Sequence, residues 1–304
     1  MTAAKALLAG IELGGTKCVC VAGTGPDDIR ERVSVPTGSD AGATLARLAA
    51  ALDELCAAHG EFAALGLASF GPLDLERDSA GYGRIERTPK DGWSGVDVLG
   101  FFSRRFAGPV GLTTDVIGAA LAEGRWGAAR NLRDYAYVTV GTGIGAGLIA
   151  AGRPLIGAHH PELGHIRIAR APGDSWPGSC RFHGDCLEGL ASGPAIAARS
   201  GAAPAALPTD SPVWDLVAHA LAQLAHTLVL TYAPRRILIG GGVALANPAL
   251  FPRLRSHLQA SLGDYLDLDR LAGGLDALIV PPGLGALVGP SGALAVAAQA
   301  LRSR

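Results

Sequence analysis

Apolar and polar positions follow two rhythms along this chain, and the alternation predicts strands and helices in turn. Residues 7–11 and 18–22 are apolar runs on either side of a glycine turn, the two arms of a hairpin. Over 43–59 apolar residues recur at helical spacing and stop before Gly60. Residues 64–69 form a continuous apolar run that ends at Phe70-Gly71-Pro72, which reads as a buried strand entering a turn. A polar, glycine-bearing loop over 82–93 follows, then a helix over 96–106 and a short strand over 110–113. Asp115 opens a further helix running to about Arg125, with the aspartate as a good N-cap.

The second half repeats the alternation. A strand is predicted over 135–140 with a hairpin partner over 147–150, then an irregular glycine-, proline- and cysteine-rich stretch over 152–189. Helices follow at 195–200 and 213–232, and a strand over 236–239 runs into Gly240-Gly241-Gly242. A helix over 251–262, a strand over 277–280 and a closing helix over 291–301 complete the series. Two α/β domains are expected, 1–118 and 119–304, the last helix packing back on the first domain. The segment from Val213 to Ala233 is the most apolar long one, but it carries Asp215, His219, Gln223 and His226. A buried helix is expected there rather than a membrane span.

The length of 304 residues agrees with two domains, and 49% hydrophobic residues give each a core to bury. A formal charge of −1 without a basic block argues against nucleic acid or an anionic membrane as partner. Five cysteines in a chain this long do not form a disulfide framework pattern, and no charged-then-apolar leader is visible. A reducing, cytoplasmic setting is the expectation.

One short phrase occurs twice. Gly10-Ile11-Glu12-Leu13-Gly14-Gly15-Thr16-Lys17-Cys18-Val19-Cys20 returns as Val138-Thr139-Val140-Gly141-Thr142-Gly143-Ile144-Gly145-Ala146-Gly147-Leu148-Ile149. Each is an apolar run, a turn of glycines with a threonine, and a second apolar run. Such turns can aim N–H groups and a hydroxyl at a phosphate. Two of them suggest a nucleotide held between two related domains, although an ordinary hairpin satisfies the first equally well. It is not a P-loop, because G-x-x-x-x-G-K-[ST] is absent and a strand follows Lys17. The second turn loosely matches a dinucleotide fingerprint, but a strand rather than a helix follows it.

Asp115, after Thr113 and Thr114 at a strand-to-helix junction, could accept a proton from a hydroxyl attacking a γ-phosphate; a plain helix cap is the alternative. Cys180-x-x-His183-x-x-Cys186 is a tight cluster of metal-ligand types, two unrelated cysteines being the alternative, and His165 is the nearest candidate for a fourth ligand. Two Cys and two His make a closed, structural zinc site, which would fix a loop poor in apolar residues. Glu162 and Glu188 flank the cluster as carboxylates that suit a polyol or as surface charges. Ser192-Gly193-Pro194 reads as a helix start, and Gly240-Gly241-Gly242 as a turn or a floor for adenine and ribose. Thr88-Pro89-Lys90 and Trp93 read most simply as loop residues.

In combination these motifs resemble the ROK family of sugar kinases, and its bacterial fructokinase branch in particular. The resemblance runs through the glycine phrase at 10–17, Ala68-Ser69-Phe70-Gly71-Pro72-Leu73, Thr88-Pro89-Lys90-Asp91-Gly92-Trp93 and Thr113-Thr114-Asp115. It continues through Gly141–Gly145, His160-Pro161-Glu162-Leu163-Gly164-His165, Cys186–Pro194, Gly240-Gly241-Gly242-Val243 and Pro281-Pro282-Gly283-Leu284-Gly285.

The resemblance implies an α/β, two-domain actin-like ATPase (ribonuclease H-like) fold with an interdomain cleft, and transfer of the ATP γ-phosphate to a sugar hydroxyl, for fructose the one on C6. It makes Asp115 the general base. It assigns Gly71, Thr88, Thr114, Asp115, Glu162, His165 and Glu188 to the sugar, with His165, Cys180, His183 and Cys186 on structural Zn²⁺. Gly14, Gly15, Thr16, Lys17, Gly141, Thr142 and Gly143 would face the phosphates. Ser192, Gly193, Pro194, Gly240, Gly241, Gly242 and Val243 would contact the nucleoside. Mg²⁺ would travel with ATP, and the family implies a homodimer. The chain departs from the pattern at Glu12, where many members have Asp near the metal and phosphates. His183 replaces a usual cysteine. Thr114-Asp115 replaces the Asn-Asp of ROK glucokinases, which disfavours glucose. Mannokinase or glucokinase activity, or a non-catalytic sugar sensor, are the rival expectations. A transcription regulator is disfavoured because no helix-turn-helix precedes the first glycine turn at residue 10.

Overall fold

The computed structural model describes residues 6–263, 265–266 and 273–303. These divide into two compact units. The first holds the described residues up to Asn131, Pro154–Pro161 and those from Gly283 on; the second holds those of Leu132–Arg153 and Glu162–Pro282.

The first unit opens with β1 (Leu8–Leu13), β2 (Lys17–Gly25) and β3 (Asp28–Pro36), followed by α1 (Ala41–His59) and β4 (Leu65–Ser69). It continues with α2 (Val98–Ser103), β5 (Val110–Thr114) and α3 (Asp115–Arg125). The sheet order is β3-β2-β1-β4-β5. The first three strands are an antiparallel meander, and β4 and β5 run parallel to β1. β3 is absent from the sequence expectation. It is an edge strand carrying Asp28, Arg30, Glu31 and Arg32, with Val35 its only buried residue. Charges on an edge block further strand addition, and they also hide the strand from a hydrophobic pattern. α2 is shorter than the predicted 96–106; the Asp97 carboxylate starts it by accepting the Gly100 N–H at 2.7 Å.

The second unit holds β6 (Tyr135–Val140), β7 (Ile144–Ala150), the first residue of the two-residue edge strand β8 (Arg153–Pro154), α4 (Leu187–Ala191), α5 (Gly193–Ser200) and α6 (Val213–Thr231). Then come β9 (Arg236–Gly240), α7 (Gly242–Ala246), α8 (Leu250–Leu262), α9 (Gly274–Leu278) and β10 (Ile279–Val280). Read from β8, its order is β8-β7-β6-β9-β10. An antiparallel hairpin again sits beside parallel strands. The two units therefore share one plan, as the repeated glycine phrase suggests. The predicted strand over 277–280 is corrected: Ala277 and Leu278 finish α9, and only Ile279 and Val280 pair. A short apolar run cannot by periodicity distinguish a helical turn from a strand. α6 is long and apolar enough to cross a membrane by composition alone, yet Trp214, Leu221, Leu224 and Leu228 pack into this unit's core beside Val138 and Ile239.

The chain finishes with α10 (Val288–Arg302) in the first unit. Its backbone lies directly on β4. A Cβ placed on Gly66 would stand 2.0 Å from the Ala293 carbonyl oxygen and 2.4 Å from the Ala297 nitrogen. Only glycine permits that approach, which buries the face of the sheet whose strands lead into the candidate site.

Candidate active site

Three parallel strands of the first unit end in register. Leu13 of β1 pairs with Ser69 of β4, and Ser69 with Thr114 of β5. The first glycine turn, Phe70-Gly71 and Asp115 therefore leave the sheet along one edge, at the carboxyl ends where open α/β sheets bind ligands. Two strand spacings of about 4.8 Å separate Asp115 from the glycine turn at the level of the backbone.

At the β5–α3 junction the structure corrects the expected cap. Thr114, buried, is the N-cap, and its Oγ1 accepts the Ile117 N–H at 3.2 Å. Asp115 is the first helical residue, half-buried, and its Oδ1 accepts the Val116 N–H at 2.9 Å. Thr114 rather than Asp115 is therefore the N-cap of α3.

The first glycine turn has its carbonyls tied down one by one. Gly14 N–H donates to the Lys17 carbonyl at 3.1 Å, and Thr37 N–H donates to the Thr16 carbonyl at 3.0 Å. The Thr37 hydroxyl donates to the Gly14 carbonyl at 2.8 Å, and the Lys90 ammonium to the Gly15 carbonyl at 2.6 Å. Gly15, Thr16 and Lys17 are exposed. Beside them Glu12 is half-buried against the first turn of α10, where a Cβ on Gly289 would stand 2.2 Å from its Oε1. Burial pushes the Glu12 carboxyl above the usual carboxylate range, and the nearby Lys17 charge opposes this.

The loop over 82–93 is better anchored than its sequence suggests. Trp93 is fully buried, its Nε1–H donates to the Gly38 carbonyl at 2.8 Å, and its ring meets Phe70 edge-on at 5.2 Å. The Thr88 hydroxyl donates to the Gly71 carbonyl at 3.4 Å, which brings these two predicted sugar residues together. His160 is buried, and its Nε2 accepts the Leu73 N–H at 3.0 Å. Burial lowers its pKa, so the ring is neutral and able to accept. A Cβ on Gly71 would stand 3.1 Å from that ring. The supporting roles of Lys90, Trp93 and His160 have no signal in local sequence, because each acts on residues distant in the chain.

In the second unit, Gly141 N–H donates to the Gly143 carbonyl at 2.9 Å, and Gly193 N–H donates to the Gly141 carbonyl at 2.7 Å. Thr142 between them is exposed. Thr139 of β6 pairs with Gly240 of β9, so the turn after β6 and the turn after β9 also share one sheet edge. Gly241 takes φ +87°, and a Cβ there would stand 2.4 Å from the Val140 carbonyl oxygen. A Cβ on Gly193 would stand 3.4 Å from Val243 Cγ2. Ser192 caps α5, its Oγ accepting the Ala195 N–H at 3.4 Å, with Pro194 in the first helical turn. Gly193 thus meets both Gly141 and Val243, which brings the three segments Gly141–Gly143, Ser192–Pro194 and Gly240–Val243 side by side.

Glu188 adjoins it, and its Oε2 accepts the Ile144 N–H at 3.0 Å. Its Oε1 stands 4.0 Å from His165 Nε2. Glu162 is exposed at the start of the helical turn Leu163–His165. That turn rests on β7 through Gly164, where a Cβ would stand 1.9 Å from the Ile144 carbonyl oxygen.

The four expected metal ligands come together. His165 Nδ1 lies 3.7 Å from Cys180 Sγ and 3.6 Å from Cys186 Sγ, and Cys180 Sγ lies 3.8 Å from His183 Nδ1. All four ligand atoms fall within 4.8 Å of one another. Zinc bonds of about 2.3 Å to sulfur and 2.0–2.1 Å to nitrogen, at tetrahedral angles, put S and N about 3.6 Å apart. The donor set therefore fits a tetrahedral thiolate and imidazole ion. Burial and the neighbouring Cys180 push the Cys186 thiol up to about 11, and a bound cation reverses that by holding the thiolate.

The chain as a whole is similar to known proteins. The model of the ROK family matches residues 8–300. A putative fructokinase of Bacillus subtilis is 41% identical over 299 residues, 98% of this chain and 97% of that protein. A fructokinase of Pediococcus pentosaceus is 39% identical over 297 residues, 98% of this chain and 99% of that one. Among solved structures, a ROK hexokinase from Thermus thermophilus superposes with a TM-score of 0.76 at 28% identity, over 98% of this chain and 100% of that one. The two sheets of like order are those of the actin-like ATPase fold. With the family pattern running from the first strand to the last helix, the chain belongs to the ROK family.

Proposed function

We propose that this protein is an ATP-dependent fructokinase, converting D-fructose and ATP to D-fructose 6-phosphate and ADP. The observation that carries the reading is the shared register of Leu13, Ser69 and Thr114, which sets a glycine turn and a helix-first aspartate on one sheet edge. Fructose as the sugar is supported by full-length relatives of that name.

In this reading Asp115 takes the proton of the C6 hydroxyl as its oxygen bonds to the γ-phosphorus. The bond to the bridging oxygen breaks, and its electron pair leaves with ADP. Gly71, Thr88, Thr114, Glu162, His165 and Glu188 orient the sugar. Gly14–Lys17 and Gly141–Gly143 offer N–H groups and hydroxyls to the phosphates, and Ser192–Pro194 with Gly240–Val243 receive the nucleoside. Positioning and charge stabilisation supply most of the acceleration, and excluding water limits wasteful hydrolysis. Mg²⁺ would arrive with ATP and neutralise phosphate charge; Glu12 lies two residues before Gly14 of the first glycine turn. Zn²⁺ at His165, Cys180, His183 and Cys186 is structural, since four protein ligands leave no position for water. A cytoplasmic homodimer is part of the proposal.

A panel of hexoses in a coupled ADP-release assay tests the reading. Fructose is expected to give the highest kcat/KM. Faster turnover of mannose or glucose would reassign the sugar, and no ADP release with any hexose would leave a non-catalytic sensor.

A further inference from the structure

We propose that Lys90 is a positioning residue for the nucleotide, holding the Gly15 peptide so that the first glycine turn faces outward with N–H groups. This deepens the kinase reading and rests on it. Gly15 is the least restrained point of the turn: it is exposed, and a Cβ added to it would meet nothing within 4 Å. Its peptide is thus free of steric guidance, and rotating it would turn a carbonyl dipole toward the place proposed for phosphate. The neighbouring carbonyls of Gly14, Thr16 and Lys17 are held by Thr37 and by Gly14 itself, within the hairpin and its adjoining strand. The Gly15 carbonyl is held instead by the Lys90 ammonium at 2.6 Å, from a loop far along the chain. No described residue accepts from the N–H groups of Gly15 or Thr16.

The same lysine is tied to the predicted sugar residues. Lys90 N–H donates to Thr88 Oγ1 at 3.4 Å, and that hydroxyl donates to the Gly71 carbonyl at 3.4 Å. A displaced sugar loop would therefore release the Gly15 peptide, which links the two substrates within one unit. A charge-assisted bond to a carbonyl is stronger than a neutral one, so a cation suits this tether.

Calorimetric ATP titration of Lys90→Met and Lys90→Arg without sugar tests the inference apart from turnover. Lys90→Met is expected to weaken ATP binding by about tenfold, the loss of one charge-assisted hydrogen bond. Lys90→Arg keeps a donor and a charge and is expected to recover most of that. Both should melt within about 2 °C of the parent, since the side chain is not in the core. Unchanged ATP affinity in Lys90→Met, or an Arg variant as weak as the Met one, would overturn the proposal. A parent protein that binds no ATP would instead overturn the kinase reading on which it rests.

Discussion

Glu188 accepts the backbone N–H of Ile144 at 3.0 Å, so one carboxylate beside the metal cluster also locks the exit of the second glycine turn. A Cβ on Gly143 would stand 2.7 Å from the same oxygen. If Glu188 also receives a sugar hydroxyl, two substitutions separate its roles. Glu188→Gln keeps one acceptor oxygen for Ile144 but loses the charge and turns the other oxygen into an NH2 donor, so the KM for fructose should rise roughly 10- to 100-fold with the KM for ATP close to the parent value. Glu188→Ala removes both, and both KM values should rise. Steady-state kinetics on the two variants decides this; equal effects of Gln and Ala on ATP would refute the lock.

The metal cluster makes a prediction about local order. Elemental analysis should find one zinc per chain, and Cys180→Ser should abolish it. Chelation is expected to cost on the order of a few kcal/mol, below the roughly 10 kcal/mol or more of zinc-finger peptides, because this unit has its own apolar core. Hydrogen exchange should quicken over 165–189 while β6 and β9 stay protected. Metal-free protein with unchanged exchange there would contradict a structural role.

Glu12 gives a signed pH dependence. Burial raises its folded-state pKa above the unfolded value, so the folded chain binds more protons just above that unfolded value. Its contribution to stability is full below the unfolded pKa and lost as pH rises through the raised one. Glu12→Gln removes this titration. Its stability relative to the parent should therefore improve from pH 4 toward pH 8, read by urea unfolding at several pH values. A difference that stays flat with pH would show that Glu12 is not strained by burial.

The parts of the fold and site that could be read from sequence are those made by neighbours in the chain. The two glycine turns, the Cys180–Cys186 spacing and Asp115 at a strand–helix junction all lie within short windows and carry their own punctuation. β3 could not be read, because Arg30, Glu31 and Arg32 break the apolar rhythm on an edge that needs no buried face. The landing of α10 on β4 depends on Gly66 meeting Ala293, a contact with no local signature. Lys90 reaches Gly15 across 75 positions, and Trp93 reaches Gly38 across 55. Thr114 rather than Asp115 caps α3, a choice between two competent residues that only backbone geometry decides.

The central claim is that Asp115 removes the proton from the sugar hydroxyl. Turnover of Asp115→Asn on fructose and Mg-ATP, with fructose affinity measured on the same preparation, tests it most directly. Turnover should fall by about 10²- to 10⁴-fold while fructose still binds nearly as in the parent. Turnover close to the parent rate would remove Asp115 as the base and the account built around it.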